Sequence, residues 1–152
     1  SGQPPDAAGI VSEVLGGRLS ALWVFGHDLA ALFGEETLRE LSRKLELFVF
    51  SGSNENPSAD SAHWALPSAA YVEKDGTFVN CDGRVQRVGK AFAPLGDSRE
   101  DWRFLLDLAG RLGIKYAAQD PEQIFLELAK AVPAFAGLTY ETIGLQGAQL
   151  PL

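Results

Sequence analysis

The sequence predicts an α/β fold in which a parallel crossover sheet, Rossmann-like, carries flanking helices. Two continuous apolar runs, 21–25 and 47–50, have the length and composition of strands that are buried on both faces. Between them, residues 35–45 place leucine at helical spacing and charged side chains at the other positions. A strand, a helix and a second strand in this order are typical of a right-handed parallel crossover unit.

The segments beside this unit follow from their capping and turn residues. A helix over 6–15 is predicted by an apolar face at helical spacing, with Asp6 as its cap and two glycines at its end. The polar stretch 51–60 is rich in turn residues and predicts a loop. Because ligands of open parallel sheets bind beyond the carboxyl ends of the strands, the loops at 26–28 and 51–53 are the predicted site region.

Two short strands are predicted further along the chain. Asp-Gly pairs at 75–76 and 82–83 indicate tight turns, and strand-like runs follow at 77–80 and 84–88. Glycine is the residue that most readily adopts a positive φ in such turns. We therefore expect a positive φ at both glycines, Gly76 and Gly83.

The last third of the chain predicts two helices and a tail. Ser98 is expected to cap a helix whose apolar stripe over 102–112, led by Trp102, packs in the core. Asp120 and the proline after it have the form of a second helix start. The tail, about 134–152, reads as irregular apart from a turn of helix near 140–143.

Composition limits the classes of protein. A length of 152 residues with 46% hydrophobic content suits one domain over 1–152. The net charge of −7 and the pI near 4.8 argue against nucleic acid as a partner, because phosphate binding needs clustered Lys and Arg. No apolar run approaches the roughly 20 residues that cross a bilayer, so we expect no direct membrane insertion. A single cysteine, Cys81, rules out an internal disulfide.

The stretch 65–86 carries the densest motif of the chain. In order along it stand Leu66, Pro67, Glu73, Gly76, Thr77, Asn80, Gly83, Arg84 and Gln86. This series resembles a signature of the molybdopterin oxidoreductase superfamily. Catalytic subunits of that superfamily are several times longer, so the resemblance implies that the chain is a C-terminal fragment of a larger subunit and its fold a fragment of a larger domain.

A second motif lies near the carboxyl end. Tyr140, Gly144, Gly147, Gln149 and Pro151 stand at spacings similar to those of formate dehydrogenase-like subunits and of the large peripheral iron–sulfur subunit of bacterial NADH:quinone oxidoreductase. The residues of the first motif are most similar to the latter group. With both motifs, the resemblance extends over 11–151.

The resemblance implies that loops at strand ends help to hold the nucleotide arm of a molybdopterin guanine dinucleotide. Many relatives have Gly-x-Asn-Pro after the first strand, and only Gly26 matches here. Relatives begin the loop after the second strand with an acid, where this chain has Gly52. His63 stands where an Asp is usual. These departures suit a subunit in which the ancestral molybdenum site no longer works.

Three residues are the candidates for cofactor binding if a pterin dinucleotide is bound: Gly26, Asn80 and Arg84. An arginine can hold a phosphate bidentately and an asparagine can bridge two backbone segments, although clamping of their own loop is the favoured interpretation. His63 is expected to be a hydrogen-bonded structural residue. Neither a catalytic residue nor a metal ligand is predicted, and the ligand to molybdenum in catalytic relatives lies far upstream of this segment.

Three functions follow. The favoured one is a non-catalytic structural domain of the large iron–sulfur subunit of NADH:quinone oxidoreductase, which supports electron transfer from NADH to quinone and has no complete active site of its own. The first alternative is the cofactor-anchoring C-terminal part of a molybdenum-dependent formate dehydrogenase or related oxidoreductase. The second alternative is a stand-alone interaction module.

Cofactors, partners and location are implied by the same resemblance. We expect no cofactor in this fragment, iron–sulfur clusters elsewhere in the parent subunit, and molybdopterin guanine dinucleotide only under the first alternative. The expected partners are the remainder of the parent subunit and the other subunits of a respiratory oxidoreductase complex. The expected location is cytoplasmic, in the peripheral arm of a membrane-associated complex.

Overall fold

A computed structural model describes residues 6–151. The chain divides into two compact units, residues 1–68 and residues 69–152, called here the N-terminal and C-terminal units. The expectation that 1–152 form a single domain stays a prediction, because two compact units can belong to one domain. Within residues 6–151, no helix has both the length and the apolar character needed to cross a bilayer.

The N-terminal unit is an α/β unit with four helices and three strands in its described residues. In chain order they are α1 (Ala7–Leu15), β1 (Ala21–Phe25), α2 (Leu29–Phe33), α3 (Glu35–Lys44), β2 (Leu47–Gly52), α4 (Pro57–Ser61) and β3 (Trp64–Pro67). The strands pair in the order β1-β2-β3, and both pairings are parallel. The parallel sheet with flanking helices confirms the predicted fold class.

The core of this unit lies between one face of the sheet and its helices. Alternate side chains of a strand point to opposite faces, and Val24, Phe48 and Phe50 share one of them. They pack in one cluster with residues of α1, α2 and α3 and with the residue that follows α3: Val11, Val14, Leu29, Leu38, Leu41 and Leu45. Burial of a side chain such as the fully buried Phe48 contributes about 1.5–3 kcal/mol to folding.

Three helices of the N-terminal unit begin at a side-chain cap. Asp6 accepts the N–H of Gly9 at 2.7 Å, which confirms the predicted start of α1. Asp28 caps α2, a helix that was not predicted because residues 26–28 indicate a loop and the leucines at helical spacing begin only in 35–45. The predicted loop 51–60 is wrong over its last residues, where Asn56 caps α4 and Pro57 occupies its first turn.

Burial of the strands on both faces was also predicted, and this is wrong. Trp23 and Phe25, on the face opposite the core, are only half-buried, and Leu47 is 42% exposed. The helices of this unit pack on the other face, so the apolar residues of this face lack a covering layer among the described residues of the unit. An unbroken apolar run predicts a strand, but it does not show which element covers each face.

The C-terminal unit combines an antiparallel sheet with helices. Its elements are a 3₁₀ turn (Tyr71–Glu73), β4 (Gly76–Val79), β5 (Arg84–Val88), α5 (Asp101–Arg111), α6 (Pro121–Ala131), a second 3₁₀ turn (Pro133–Phe135), α7 (Tyr140–Ile143) and β6 (Ala148–Gln149). The strand order is β4-β5-β6. A core cluster of Val85, Phe125, Tyr140 and Ile143 lies where β5, α6 and α7 meet.

Several expectations for this unit are confirmed and others are wrong. Asp120 caps α6 by accepting the N–H of Gln123 at 2.8 Å, as predicted. Gly83 has a positive φ of 76°, as predicted, but Gly76 does not, because it is the first residue of β4 and pairs with Val88. The tail is more ordered than expected, since α7 and β6 both lie in it.

The helix predicted from Ser98 begins later and is less buried than expected. Glu100 is the residue before its first turn, whereas the Ser98 hydroxyl donates to the carbonyl oxygen of Leu95 at 2.8 Å. Glu100 is buried and pairs with Nε of Arg103 at 2.5 Å. No residue of α5 is buried, so the prediction of Trp102 and its stripe as core is wrong within the described chain.

Candidate functional site

The carboxyl ends of the parallel strands form an open groove in the N-terminal unit. Its volume is about 270 Å³, and its lining residues are Phe50, Gly52, Ser53, Asn54, Glu55, Ala59, Ala65, Leu66 and Pro67. Gly26 directly follows the neighbouring strand β1, has a φ of 68°, and donates its N–H to the carbonyl oxygen of Ser51 at 2.7 Å. This is the edge of the sheet where the sequence predicts ligand binding.

Gly52, the last residue of β2, leaves no room for a side chain at this position. A Cβ atom added there would lie 2.5 Å from Cε1 and 2.6 Å from Cζ of the Phe50 ring. Phe50 is 2% exposed and belongs to the core, so its ring is not a flexible end that moves aside. An acid at position 52, as in the relatives of the resemblance, is therefore sterically incompatible with this arrangement.

The loop after β1 is tied to the helices around it. The Asp28 carboxylate accepts the N–H of Ala30 at 2.9 Å and that of Ala31 at 3.3 Å. The fully buried Ser58 accepts the N–H of Leu29 at 2.7 Å through its hydroxyl, which joins this loop to α4. Asp28 is thus occupied with capping, and His27 is the exposed polar side chain of the loop.

His63 has the structural role predicted for it. Its Nδ1 accepts the N–H of Phe48 at 3.0 Å, and its backbone N–H donates to the Phe48 carbonyl oxygen at 2.9 Å. The histidine extends the pairing of β2 beside the start of β3.

Asn80 closes the turn between β4 and β5. Its Oδ1 accepts the N–H of Asp82 at 3.0 Å and the N–H of Arg84 at 2.8 Å. Its backbone N–H donates to the carbonyl oxygen of Arg84, and Gly83 donates back to the carbonyl oxygen of Asn80, both at 3.0 Å. Both bonds to Oδ1 serve the turn, so this side chain is part of its own loop.

Arg84 and its neighbours join the two motifs of the sequence. Nη1 of Arg84 donates to the carbonyl oxygen of Gln146 at 3.1 Å, and Nε2 of Gln149 donates to the carbonyl oxygen of Asp82 at 2.6 Å. At Gly147, where φ is 77°, an added Cβ would lie 2.7 Å from the Val85 carbonyl oxygen. The motif around Asn80 thus holds the motif at 147–151 as the third strand of its sheet.

The charged residues Glu73 and Lys74, at the end of the first 3₁₀ turn, also make structural contacts. Glu73 accepts the N–H of Ala70 at 2.8 Å, and Lys74 pairs with Asp101 at 3.1 Å. Cys81 is an exposed free thiol. Within residues 6–151, no cluster of three or more His, Cys, Asp or Glu side chains could hold a metal ion.

A second groove, in the C-terminal unit, brings Tyr140 of the second motif together with Arg87, a residue that the sequence did not indicate. It has a volume of about 450 Å³ and is lined by residues that include members of β5, α6 and α7. The guanidinium of Arg87 lies 4.5 Å from the centre of the Tyr140 ring. Burial raises the pKa of the Tyr140 hydroxyl, and this hydroxyl has no hydrogen-bond partner among residues 6–151.

Comparison with known proteins decides the family. The family model described as molybdopterin oxidoreductase matches residues 2–111. The chain belongs to the molybdopterin oxidoreductase family. The match covers the N-terminal unit and continues through β4, β5 and α5 of the C-terminal unit.

Relatives in the family are much longer than this chain. The NADPH-Fe(3+) oxidoreductase subunit alpha of Geobacter sulfurreducens is 40% identical over 150 residues, which cover 93% of this chain and 18% of that protein. A Staphylococcus aureus protein that carries the name putative formate dehydrogenase is 31% identical over 145 residues, 94% of this chain and 15% of that protein. The chain therefore spans less than a fifth of the length of these relatives.

A solved structure shows the same fold. The acetylene hydratase of Pelobacter acetylenicus superposes with a TM-score of 0.65 and 16% sequence identity, over 89% of this chain and 19% of that protein. At this identity the likeness concerns the fold alone. It agrees with the α/β architecture of the N-terminal unit.

In this molybdopterin oxidoreductase chain, cofactor binding by Gly26, Asn80 and Arg84 stays a prediction, and the contacts observed for these positions lie within their own units. The position of the acid is a glycine backed by the Phe50 ring, Oδ1 of Asn80 accepts two bonds within its turn, and Arg84 donates to Gln146. Gly26 offers only backbone at its strand end. The three predicted site residues also fall in different units, with Gly26 in the N-terminal unit and the other two in the C-terminal unit.

Proposed function

We propose that this chain is a structural domain of an oxidoreductase subunit, which holds other parts of the enzyme in place and transfers no electrons itself. The observation that supports this function is the close approach of the Phe50 ring to position 52, which excludes an acid from that position. A carboxylate is the group best suited to accept hydrogen bonds from a guanine or a ribose hydroxyl. Without an acid at position 52, the groove lacks the carboxylate that the resemblance implies for a dinucleotide arm at that position.

The proposal extends to the parent protein. We place the chain in the large peripheral iron–sulfur subunit of an NADH:quinone oxidoreductase, on the cytoplasmic side of a membrane-associated complex. Electrons would pass from NADH through iron–sulfur clusters bound by the rest of that subunit and by its neighbours. The similarity to a Geobacter protein named as an NADPH-Fe(3+) oxidoreductase subunit supports a role beside a nicotinamide-dependent electron entry.

A second candidate is the cofactor-anchoring part of a molybdenum-dependent formate dehydrogenase or related oxidoreductase. Two observations favour it. Ser53, Asn54 and Glu55 give the strand-end groove polar side chains one to three residues beyond the missing acid. A relative at 31% identity carries the name putative formate dehydrogenase. Under this function, Glu55 would replace the acid, and Gly26 would allow close approach of a phosphate to the backbone.

The deciding experiment is metal and pterin analysis of the full-length parent subunit, purified from its native source grown with molybdate. Elemental mass spectrometry gives molybdenum, tungsten and iron per subunit, and fluorescence of the oxidised pterin detects the organic part of the cofactor. A molybdenum enzyme purified from the same cells controls for cofactor supply. Iron without pterin is the expected result. Molybdenum or tungsten at a stoichiometric amount would overturn the structural function in favour of the second candidate.

A further inference from the structure

The groove beside β5, α6 and α7 in the C-terminal unit is negatively charged. Its lining includes three carboxylates and one basic side chain, namely Asp75, Asp120, Glu122 and Arg87. The other lining residues are uncharged, so three negative charges against one positive charge leave a formal charge of −2. The volume of about 450 Å³ lies in the range of sites that bind small molecules. The groove thus has the size and the charge to hold a small cation.

The three carboxylates have only neutral partners. Asp75 accepts the backbone N–H of Lys90 at 2.9 Å. Asp120 accepts the backbone N–H and the side-chain amide of Gln123, each at 2.8 Å. Glu122 is exposed in the first turn of α6, and its side chain forms no hydrogen bond or ion pair within residues 6–151. A carboxylate has about four acceptor sites, so all three can still accept from a charged donor.

Tyr140 gives the same groove an unsatisfied hydroxyl. The residue is only 8% exposed, and its hydroxyl has no hydrogen-bond partner within residues 6–151. A buried hydroxyl without a partner costs free energy, which a bound donor or acceptor would recover. Burial raises the pKa of this hydroxyl, and its remaining causes are four charged side chains, Arg87, Glu122, Asp75 and Asp120. All four line the groove, so the hydroxyl points toward it.

The placement of these groups argues against a metal ion and against an anion. Within residues 6–151, no three His, Cys, Asp or Glu side chains lie close enough together to hold a metal ion, so the carboxylates are spread around the groove. An anion would be repelled by three carboxylates and attracted by one arginine. Ammonium groups have three N–H donors each, and two of them on one molecule can reach separate carboxylates. A dication would also match the formal charge of −2.

We propose that this groove binds a small aliphatic diamine, whose ammonium groups donate to Asp75, to Glu122 and to the hydroxyl oxygen of Tyr140. The guanidinium of Arg87 lies 4.5 Å from the centre of the Tyr140 ring and has no hydrogen bond or ion pair within residues 6–151. Its exposed side chain can therefore turn aside when an ammonium group enters. The alkyl chain between the ammonium groups would contact the apolar part of the lining: Val88, Pro121 and Leu145.

The test is isothermal titration calorimetry of the full-length parent protein with butane-1,4-diamine at low ionic strength. Glu122→Gln removes one carboxylate of the groove. Glu127→Gln is the matched control, since it changes the same charge on the same helix, where Glu127 is exposed and pairs with Lys130 outside the groove. Asp75→Asn repeats the test at a second position and keeps an oxygen for the N–H of Lys90, in case the first variant fails to fold.

We expect saturable binding to the original protein, about fivefold weaker binding to Glu122→Gln and to Asp75→Asn, and unchanged binding to the control. Arg87→Gln, which removes the positive charge of the groove, should bind the diamine about threefold more tightly. The absence of saturable heat, an equal loss in Glu122→Gln and Glu127→Gln, or weaker binding to Arg87→Gln would overturn the proposal.

Two further titrations test the class of ligand. Butylamine carries one ammonium group on a chain like that of a lysine side chain, and it should bind about tenfold more weakly than the diamine. Equal affinity for butylamine would assign the groove to a basic side chain of another protein and overturn the proposal. Magnesium chloride should weaken diamine binding no more than sodium chloride of the same ionic strength, and specific displacement by Mg²⁺ would also overturn it. These results are independent of metal and pterin content, so their failure is distinguishable from failure of the proposed function.

Discussion

The ring of Phe50 fills the space that a side chain at position 52 would need: an added Cβ would lie 2.5 Å from its Cε1 atom. The two residues belong to the same strand and are two positions apart, so they face the same side of the sheet. A large core ring thus excludes a side chain from the last position of β2, beside the strand-end loop. This packing bears on the proposed function, because position 52 is where the resemblance implies an acid.

Substitution of Gly52 should therefore lower the free energy of unfolding most when Phe50 is present. We expect Gly52→Ala to lower the free energy of unfolding by about 1–3 kcal/mol through overpacking. In a Phe50→Leu background, where the ring atoms in question are absent, the same substitution should cost clearly less. Urea denaturation of the four proteins gives the interaction energy. Equal costs in the two backgrounds would show that the ring is not the cause.

The motif residue Asn80 should act on stability through its side-chain acceptor. Asn80→Ala removes the two bonds from Asp82 and Arg84, and we expect it to lower the free energy of unfolding by about 1–2 kcal/mol. Asn80→Asp keeps an acceptor at the same place and should cost less. Asn54→Ala is the control, because Asn54 is exposed in a loop, and it should change stability by about 0.5 kcal/mol or less. A similar loss from Asn54→Ala and Asn80→Ala would refute the clamp.

The sequence predicted the central elements of the N-terminal unit because its signals there are local and strong. The apolar runs and the leucines of α3 mark strands and helix directly. Asn56-Pro57 is also a local signal for a helix start, but it lies within a turn-rich stretch that favoured a loop. The exposure of Trp102 could not be predicted in this way, since a stripe at helical spacing reports that a helix is amphipathic and not whether its partner is present.

The roles of the site residues depended on contacts distant in sequence. The motif contains both Asn80 and Arg84. Their favoured interpretation, a clamp of their own loop, agrees with their hydrogen bonds. The bond from Arg84 to Gln146 spans 62 residues and that from Gln149 to Asp82 spans 67, so no local pattern encodes them. Likewise, the approach of Gly52 to the Phe50 ring depends on the rotamer that the surrounding core imposes on phenylalanine.

Two glycines should respond in opposite ways to alanine. Gly147 has a φ of 77° and would bring a Cβ to 2.7 Å from a backbone oxygen of β5, so Gly147→Ala should be strongly destabilising, by about 2 kcal/mol or more. Gly110 lies in α5 with open space around it, and Gly110→Ala should stabilise the chain by about 0.5–1 kcal/mol. Thermal or urea unfolding of both variants tests this contrast. Stabilisation by Gly147→Ala would contradict the close approach of β6 to β5.

His63 should contribute to stability although its side chain is exposed. His63→Ala leaves the N–H of Phe48 without the Nδ1 acceptor, and we expect a loss of about 1–2 kcal/mol in the free energy of unfolding. His27→Ala is the matched control, since His27 is also exposed and lies in the loop after β1, and its effect should be about 0.5 kcal/mol or less. Hydrogen exchange of the Phe48 amide gives a second readout, and unchanged protection in His63→Ala would show that the ring nitrogen is not its partner.

Tyr140 should make the chain sensitive to alkaline pH. Burial, the largest cause, raises the pKa of its hydroxyl, the nearby carboxylates of Glu122, Asp75 and Asp120 raise it further, and Arg87 opposes them. A raised folded-state pKa favours the neutral form, so its contribution to stability is complete below the unfolded pKa of about 10 and is lost as pH rises through the folded pKa.

The variant Tyr140→Phe removes both the titration and a buried hydroxyl that has no partner among residues 6–151. We expect it to be as stable as the original chain at pH 8, or more stable by about 1 kcal/mol, and to lose less stability than the original above pH about 10. Tyr71→Phe, at a residue that is 66% exposed, should leave the pH dependence unchanged. Urea denaturation between neutral and alkaline pH measures both, and the same alkaline loss in Tyr140→Phe as in the original chain would assign the sensitivity to other groups.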